Sequence, residues 1–143
     1  MKRLLLAASV LFMSAAVMAQ QTPDDVMKVN TENHNFGKIK QNVPVSFYFE
    51  LTNTSNKPLV VENTWGSCGC TTPEKPTEPI MPGKSAKVKV QYNAAALAPF
   101  TKDVFIKLAG IETPKKVLIS GEVLDAKAYD AHVSANPQSK SKS

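Results

Sequence analysis

The sequence has few of the residues on which most catalytic and metal sites depend. Its 143 residues include two cysteines, two histidines and one tryptophan. The histidines, His34 and His132, lie far apart, so neither a Ser-His-Asp triad nor a histidine-rich zinc site is indicated. No glycine-rich phosphate-binding loop is present. Glu74 and Glu78 lie in a proline-rich stretch and are interpreted as solvated. We therefore expect a protein that is not an enzyme and has no cofactor.

Dense positive charge is also lacking. The net charge of the whole chain is +5, and part of the excess lies in the C-terminal tail at Lys140 and Lys142. Without Lys2 and Arg3, fifteen lysines face twelve acidic residues, which leaves a net charge of +3. Nucleic-acid binding normally needs a basic patch or stripe, so we expect no nucleic-acid partner.

One apolar run occurs, at the beginning of the chain. It follows the basic start Met1-Lys2-Arg3 and extends from Leu4 to Val17, interrupted only by two serines. A membrane-spanning helix needs about 20 such residues, so the run is too short for one. Small residues up to Ala19 resemble a signal-peptidase site. The pattern predicts a cleaved signal peptide over 1–19, a periplasmic or secreted protein, and no transmembrane segment in the mature chain.

The remaining chain divides by composition into three parts. Residues 20–28 are polar and contain proline, and residues 126–143 end in alternating lysine and serine. Both segments have little apolar surface to bury, so we predict a disordered leader over 20–28 and a disordered tail over 126–143. The folded domain is predicted over 29–125, a length that can bury one modest core.

Hydrophobic residues in this domain recur with a period of two, which indicates strands with one buried face. The clearest example is Val45, Phe47, Phe49 and Leu51, which alternate with polar residues and Tyr48. Further runs lie at 35–39, 58–61, 87–92, 104–108 and 117–123. Turn residues separate the runs, and no sustained helical pattern follows the signal peptide. About seven strands predict an all-β, antiparallel two-sheet sandwich of the immunoglobulin type, with a small closed barrel as the alternative.

The two cysteines stand one residue apart in Ser67-Cys68-Gly69-Cys70-Thr71. In an extended strand their Cα atoms would lie about 6.5 Å apart, near the upper end of disulfide geometry, and a bend at Gly69 would shorten that distance. Four interpretations stay open: an inert disulfide formed after export, a redox centre, a metal site, or a bridge to a partner protein. Two thiolates suit Cu(I) or zinc, but the only further weak ligand candidate nearby is Met81.

The residues around this pair form the candidate interaction loop, which extends from Trp65 to Pro82. Trp65 stands just before the cysteines, in a stretch that resembles a turn, and is either packed against the loop or exposed for contact. Pro82-Gly83 suits a type II turn, because proline sets φ and glycine accepts a positive φ. The candidate contact residues are listed here: Trp65, Gly69, Thr71, Pro82 and Gly83.

Several of these segments together resemble a bacterial family named domain of unknown function 1573. The resemblance rests on five segments: Asn35-Phe36-Gly37-Lys38-Ile39, the run from Phe47 to Asn53, Pro58-Leu59-Val60-Val61, Ser67-Cys68-Gly69-Cys70-Thr71 and Ile80-Met81-Pro82-Gly83. It implies an exported immunoglobulin-like domain without an established activity. The function that we expect is protein interaction or envelope structure, with an unidentified envelope or secreted protein as partner. A thiol-redox or copper-handling role for Cys68 and Cys70 is the alternative.

Overall fold

The computed structural model describes residues 20–136, which form two packed β-sheets and one helix. A single 3-10 turn (Pro23–Asp25) precedes the strands. The strands are β1 (Met27–Val29), β2 (Asn33–Lys40), β3 (Val45–Asn53), β4 (Val61–Gly66), β5 (Thr71–Glu74), β6 (Ser85–Tyr92), β7 (Pro99–Leu108) and β8 (Lys115–Leu124), and helix α1 (Ala126–Ala135) follows. The predicted signal peptide (1–19) and the end of the predicted tail (137–143) lie outside the described residues.

Each sheet has four strands. The first sheet has the order β1-β3-β6-β5 and is antiparallel throughout. The second sheet has the order β2-β8-β7-β4, in which β2 runs parallel to β8 and the other pairs are antiparallel. Each sheet keeps two separate edges, so the predicted two-sheet sandwich is confirmed and the closed barrel is wrong. The predicted antiparallel arrangement needs one correction, because β2 and β8 run parallel. Eight strands form where the sequence indicated about seven.

The core lies between the sheets and consists of the apolar residues that alternate along the strands. Phe49 and Leu51 of β3 are fully buried and face β7 and β8 residues such as Val104, Ile106 and Ile119. The intervening side chains point away from the core. Phe105, which is out of phase with Val104 and Ile106, lies on the outer face. Removal of this apolar surface from water is the main driving force for association of the sheets.

The predicted disordered leader over 20–28 needs a correction, because most of it is ordered. β1 pairs with the end of β3, with Met27 opposite Asn53 and Val29 opposite Leu51. Met27 is 1% exposed and Val26 is also buried in the core. Two buried apolar side chains and a ladder of backbone hydrogen bonds give this short segment enough contact energy to order.

A second correction concerns the predicted disordered tail, since its first part forms helix α1. The side chain of Asp125 caps the helix by accepting a hydrogen bond from the backbone N–H of Ala128, at 2.8 Å. Asp130 forms an ion pair with Lys40 of β2 at 3.3 Å. No residue of α1 is fully buried, which explains why the sequence shows no regular apolar stripe there. Within residues 20–136, no helix is long and apolar enough to cross a membrane.

Candidate functional site

The cysteine loop connects the two sheets. It leaves β4 in the second sheet and enters β5 in the first, so its ends are fixed by different layers of the sandwich. At the β4 end, Ser67 and Asp103 exchange two hydrogen bonds, from Ser67 N–H to the Asp103 carbonyl (2.9 Å) and from Asp103 N–H to Ser67 Oγ (3.2 Å). At the β5 end, the Cys70 carbonyl accepts a hydrogen bond from Asn93 N–H at 3.1 Å. The loop is therefore held rigidly at one end of the sandwich.

Cys68 and Cys70 are joined by a disulfide bond, with Cα atoms 5.3 Å apart. The loop bends between them, and Thr71 N–H donates to the Cys68 carbonyl at 3.2 Å. Both side chains are half-buried, and their sulfur atoms lie 3.8 and 3.9 Å from the Thr71 hydroxyl. A Cβ at Gly69 would meet no atom within 4 Å, so the bend does not need glycine on steric grounds. The cysteine pair is thus closed within the chain and lies at the surface of a rigid loop.

Trp65 lies on a strand, and the prediction that it belongs to a turn-rich stretch is wrong. It is part of β4, an edge strand of the second sheet, and stands opposite Phe105 of β7. The two rings stack with centroids 5.3 Å apart and an interplanar angle of 18°. The Trp65 side chain still exposes 38% of its surface. Trp65 is therefore both packed and exposed, because its ring stacks on Phe105 and part of its surface still faces solvent.

Thr71 is unsuitable as a contact residue, contrary to its place in the predicted interaction loop. It is the first residue of β5 and is 4% exposed. Its backbone pairs with Tyr92 of β6, and its hydroxyl faces the two cysteine sulfurs. Thr71 packs against the buried side of the disulfide and is not exposed to a partner.

Pro82 and Gly83 form the predicted turn, but far from the cysteines. Gly83 has φ +72° and Lys84 N–H donates to the Met81 carbonyl at 2.9 Å. The turn precedes Ser85 at the start of β6, whereas the cysteine loop adjoins Tyr92 at its end. Seven residue steps along a strand correspond to roughly 23 Å. The predicted contact loop is therefore divided between the two ends of the sandwich.

The same separation removes Met81 as a weak metal-ligand candidate beside the cysteines. Met81 is 53% exposed at the Pro82-Gly83 end. His34 lies in β2 and His132 in α1, outside the cysteine loop. Among residues 20–136, no group of three or more His, Cys, Asp or Glu side chains is placed to hold a metal ion. If the disulfide were reduced, this chain would supply two thiolate ligands to a metal at this loop.

The structure contains a groove that sequence reasoning missed. It has a volume of about 570 Å³ and lies between the free side of β2 and the first half of β3. Its apolar wall consists of side chains from these strands, from the connection between them and from α1. They are Phe36, Ile39, Val43, Pro44, Val45, Phe47 and Tyr129. The polar lining consists of His34, Lys40 and Ser46, so the groove carries one formal positive charge and no carboxylate.

His34 belongs to this groove and is half-buried. Its ring stacks on Phe47 with centroids 3.6 Å apart and meets the edge of Phe36 at 4.6 Å. Burial lowers the pKa of His34 from its ordinary value, because the aromatic surroundings disfavour the charged ring. The signal available in the sequence was His34 and Phe36 in phase on a strand, which places both on the same face.

An ion cluster lies at the start of β8, where the buried Lys115 side chain meets two exposed carboxylates. Lys115 is 7% exposed, and its ammonium group donates to Asp24 Oδ1 at 2.6 Å and to a carboxylate oxygen of Glu32. Burial opposes the charged ammonium, but hydrogen bonds and charge interactions with both carboxylates outweigh burial and raise the pKa of Lys115. The cluster connects the segments on either side of β1 to β8. The Lys115 ammonium group is bonded to both carboxylates, so the role of the cluster is to anchor the N-terminal segment.

These features define an all-β, immunoglobulin-like sandwich whose disulfide-closed loop and apolar groove lie on different parts of its surface. The chain belongs to a family of proteins of unknown function, DUF1573, which matches residues 27–123. The match includes Cys68 and Cys70 and begins at β1, two residues before the predicted domain start. A comparison with curated proteins gave no match.

Solved structures share the fold at low identity. A protein of unknown function from Porphyromonas gingivalis W83 is 15% identical with a TM-score of 0.59, covering 68% of this chain and 46% of that one. The VesB protease of Vibrio cholerae is 16% identical with a TM-score of 0.55, covering 69% and 32%. The chain thus spans less than half the length of either protein. The ASH/PapD-like domain 7 of human CEP192 is 10% identical with a TM-score of 0.55, covering 87% and 99%. These similarities support the fold alone.

Proposed function

We propose that this protein is an exported, non-enzymatic protein-interaction domain of the bacterial envelope. The observation that carries the proposal is the exposed Trp65 ring, which stacks on the half-buried Phe105 beside the disulfide-closed loop. An aromatic side chain held by stacking loses little conformational entropy on binding, and tryptophan is enriched among residues that dominate interface energies. The contact surface that we propose consists of Trp65, Phe105 and the adjoining Ser67–Cys70 loop.

The side of β4 that does not pair with β7 is occupied. Lys75 Nζ donates to the Val61 carbonyl at 3.2 Å and to the Glu62 carbonyl at 2.6 Å, and Thr71 of β5 lies against Gly66. The surface open to a partner is therefore the exposed face of the Trp65 ring and not the backbone edge. The loop beyond β4 is fixed by the Ser67–Asp103 hydrogen bonds and by the disulfide. A partner would therefore meet a preformed surface, which lowers the entropic cost of association.

Site-specific photo-crosslinking tests the interaction role. Benzoylphenylalanine in place of Trp65 should give a discrete crosslinked product in the envelope of the cells that produce the protein. The matched control is the same replacement of Met81, which is exposed and apolar but lies at the opposite end of the sandwich. Equal labelling from both positions, or from neither, would contradict the proposed surface. The intact mass of the mature protein from the same preparation should correspond to a chain that begins at Gln20 if residues 1–19 are a cleaved signal peptide.

The disulfide itself favours a second candidate function, thiol–disulfide exchange. A thiolate of a partner dithiol would attack one sulfur of the Cys68–Cys70 bond, form a mixed disulfide and release the other cysteine as a thiolate. The partner's second thiolate would then resolve the mixed disulfide, so the partner is oxidised and the cysteine pair reduced by two electrons. Cys68 and Cys70 are only half-buried and their loop lies at the surface, which allows such access.

Equilibration of the purified protein in graded glutathione buffers tests this candidate, with alkylation and intact mass as the readout. A pair that exchanges within the range of glutathione buffers supports a redox role. A pair that stays oxidised throughout indicates an inert cap and leaves the interaction role as the only proposal. Copper handling would require the reduced pair, whose two thiolates are the ligands that this chain supplies, and Cu(I) retained by the reduced protein in a native mass spectrum would support it.

A further inference from the structure

The groove between β2 and β3 lies where a strand of the first sheet ends early. β1 pairs with β3 only at Leu51 to Asn53, and one further exchange follows, from Asn30 N–H to the Glu50 carbonyl and from Glu50 N–H to Asn30 Oδ1. The chain then crosses to the second sheet and continues as β2. Along Val45–Phe49, no strand among residues 20–136 pairs with this edge of β3.

The free edge of β3 presents specific backbone groups. Glu50 uses its N–H and carbonyl toward β1, and backbone groups of alternate residues point to the same edge. Ser46 and Tyr48 therefore direct their N–H and C=O groups outward, which provides positions for four backbone hydrogen bonds. Val45, Phe47 and Phe49 bond toward β6 and turn their side chains inward. An unpaired strand edge beside an apolar groove is the arrangement that accepts an added strand.

The charge of the groove selects among possible added strands. Lys40 is the only formally charged residue in its lining, and no carboxylate accompanies it there. In the present structure Lys40 is paired with Asp130 of α1 at 3.3 Å, and its ammonium lies 5.9 Å from the centre of the Tyr129 ring. Helix α1 thus places an acidic side chain at the cation that a ligand would use, and it makes few other contacts with the sandwich.

We propose that this groove binds an extended peptide segment of a partner protein, about five residues long, with alternating apolar side chains and an acidic residue at its C-terminal end. The segment would continue the path of β1 antiparallel to β3, so its C-terminal end would lie opposite Val45 and near Lys40. Its apolar side chains would enter the groove beside Phe47 and His34. The proposal rests on the interaction role but uses a surface other than Trp65, so either can fail without the other.

A peptide titration followed by amide NMR tests the proposal. The probe is Ac-Thr-Val-Thr-Val-Thr-Asp-NH2, and the matched peptide carries Lys in place of Asp. We expect the amide signals of Ser46 and Tyr48 to shift with the acidic peptide, and binding of the lysine peptide to be weaker. Lys40→Gln should weaken binding of the acidic peptide roughly threefold, and Asp130→Asn should strengthen it by a similar factor, as expected of exposed ion pairs.

The matched control variant is Lys89→Gln, which removes a comparable surface ion pair with Glu74 (3.2 Å) outside the groove and should leave binding unchanged. Ser46→Pro removes one outward N–H group and spares the hydrogen bonds to β6, so it should strongly weaken binding of the peptide. Three results would overturn the proposal: no shifts at Ser46 and Tyr48 at millimolar peptide, equal affinity for both peptides, or binding of dodecanoate but of neither peptide. The last result would indicate a pocket for small amphiphiles.

Discussion

Replacement of Asn53 should destabilise the domain more than any other polar substitution at a turn. Asn53 ends β3 and is 0% exposed. Its amide group donates to the carbonyls of Lys57 and Ile80, both at 2.7 Å, and its Oδ1 accepts from the N–H and the hydroxyl of Ser55, both at 2.8 Å. One side chain thus fixes the turn after β3 and connects it to the segment before β6.

The magnitude follows from these four bonds. At about 0.5–1.5 kcal/mol for each hydrogen bond, four bonds amount to about 2–6 kcal/mol. Because three of the four are only part-buried, Asn53→Ala should cost about 3 kcal/mol of the free energy of unfolding, in the lower half of that range. At about 4 °C for each kcal/mol in a domain of this size, the melting temperature should fall by about 12 °C. Asn53→Asp keeps the shape and the acceptor toward Ser55 but turns a carboxylate oxygen toward two carbonyls, so it should cost at least as much.

Urea denaturation at equilibrium measures the effect, with Asn56→Ala in the same exposed turn as the control. The control should stay within about 0.5 kcal/mol of the parent protein. If Asn53→Ala lies within about 1 kcal/mol of the parent at an unchanged m-value, the hydrogen-bond argument is refuted. The same hydrogen bonds account for the sequence Asn53-Thr54-Ser55, which forms this turn. The Asn53 side chain is buried, and both its amide nitrogen and its amide oxygen are hydrogen-bonded.

Three further substitutions or conditions have defined outcomes. Cys68→Ser with Cys70→Ser should lower the free energy of unfolding by about 1.5 kcal/mol or less, because the bond closes a very short loop; a larger loss in thermal denaturation would show that the loop supports the core. Gly121→Ala should cost about 2 kcal/mol in urea denaturation, because its Cβ would meet the Gly37 carbonyl oxygen at 2.8 Å and the Phe100 ring at 2.9 Å, whereas Gly69→Ala, which meets nothing, should be neutral. Because burial lowers the pKa of His34 below 6.5, the folded state binds a proton less readily than the unfolded state, so stability should fall as the pH decreases from above 6.5 through the lower folded value. His34→Phe keeps the ring contact and should reduce that acid dependence, and an unchanged pH profile would contradict this account.

Sequence reasoning was accurate where one periodicity governs a segment. The run from Val45 to Leu51 alternates in sequence and is a strand in the structure, with its apolar side chains inward. Pro82-Gly83 adopts the predicted turn because its backbone angles are set locally by these two residues. Helix α1 escaped prediction because it buries no residue, and β1 escaped it because three residues are too few to show a period.

In the candidate site, too, local features were predicted from the sequence and long-range features were not. The sequence placed Cys68 and Cys70 close enough to pair, and the structure pairs them. It did not show that Trp65 lies on an edge strand against Phe105, forty residues later, or that Thr71 is buried beneath the disulfide. It also joined Trp65 and Pro82 in one loop, although they lie at opposite ends of the sandwich.

The sequence by itself determined the fold class, the strands with clear alternation, the local turn and the close spacing of the cysteines, because each depends on neighbours within a few residues. The tertiary structure alone decided which edges stay unpaired, where the groove lies and which side chains remain exposed. Those features depend on where β1 leaves β3 and crosses to the other sheet, and on how β2 then pairs with β8, 84 to 85 positions further along the chain. Such long-range pairing follows from burial of the whole core, which no local pattern encodes.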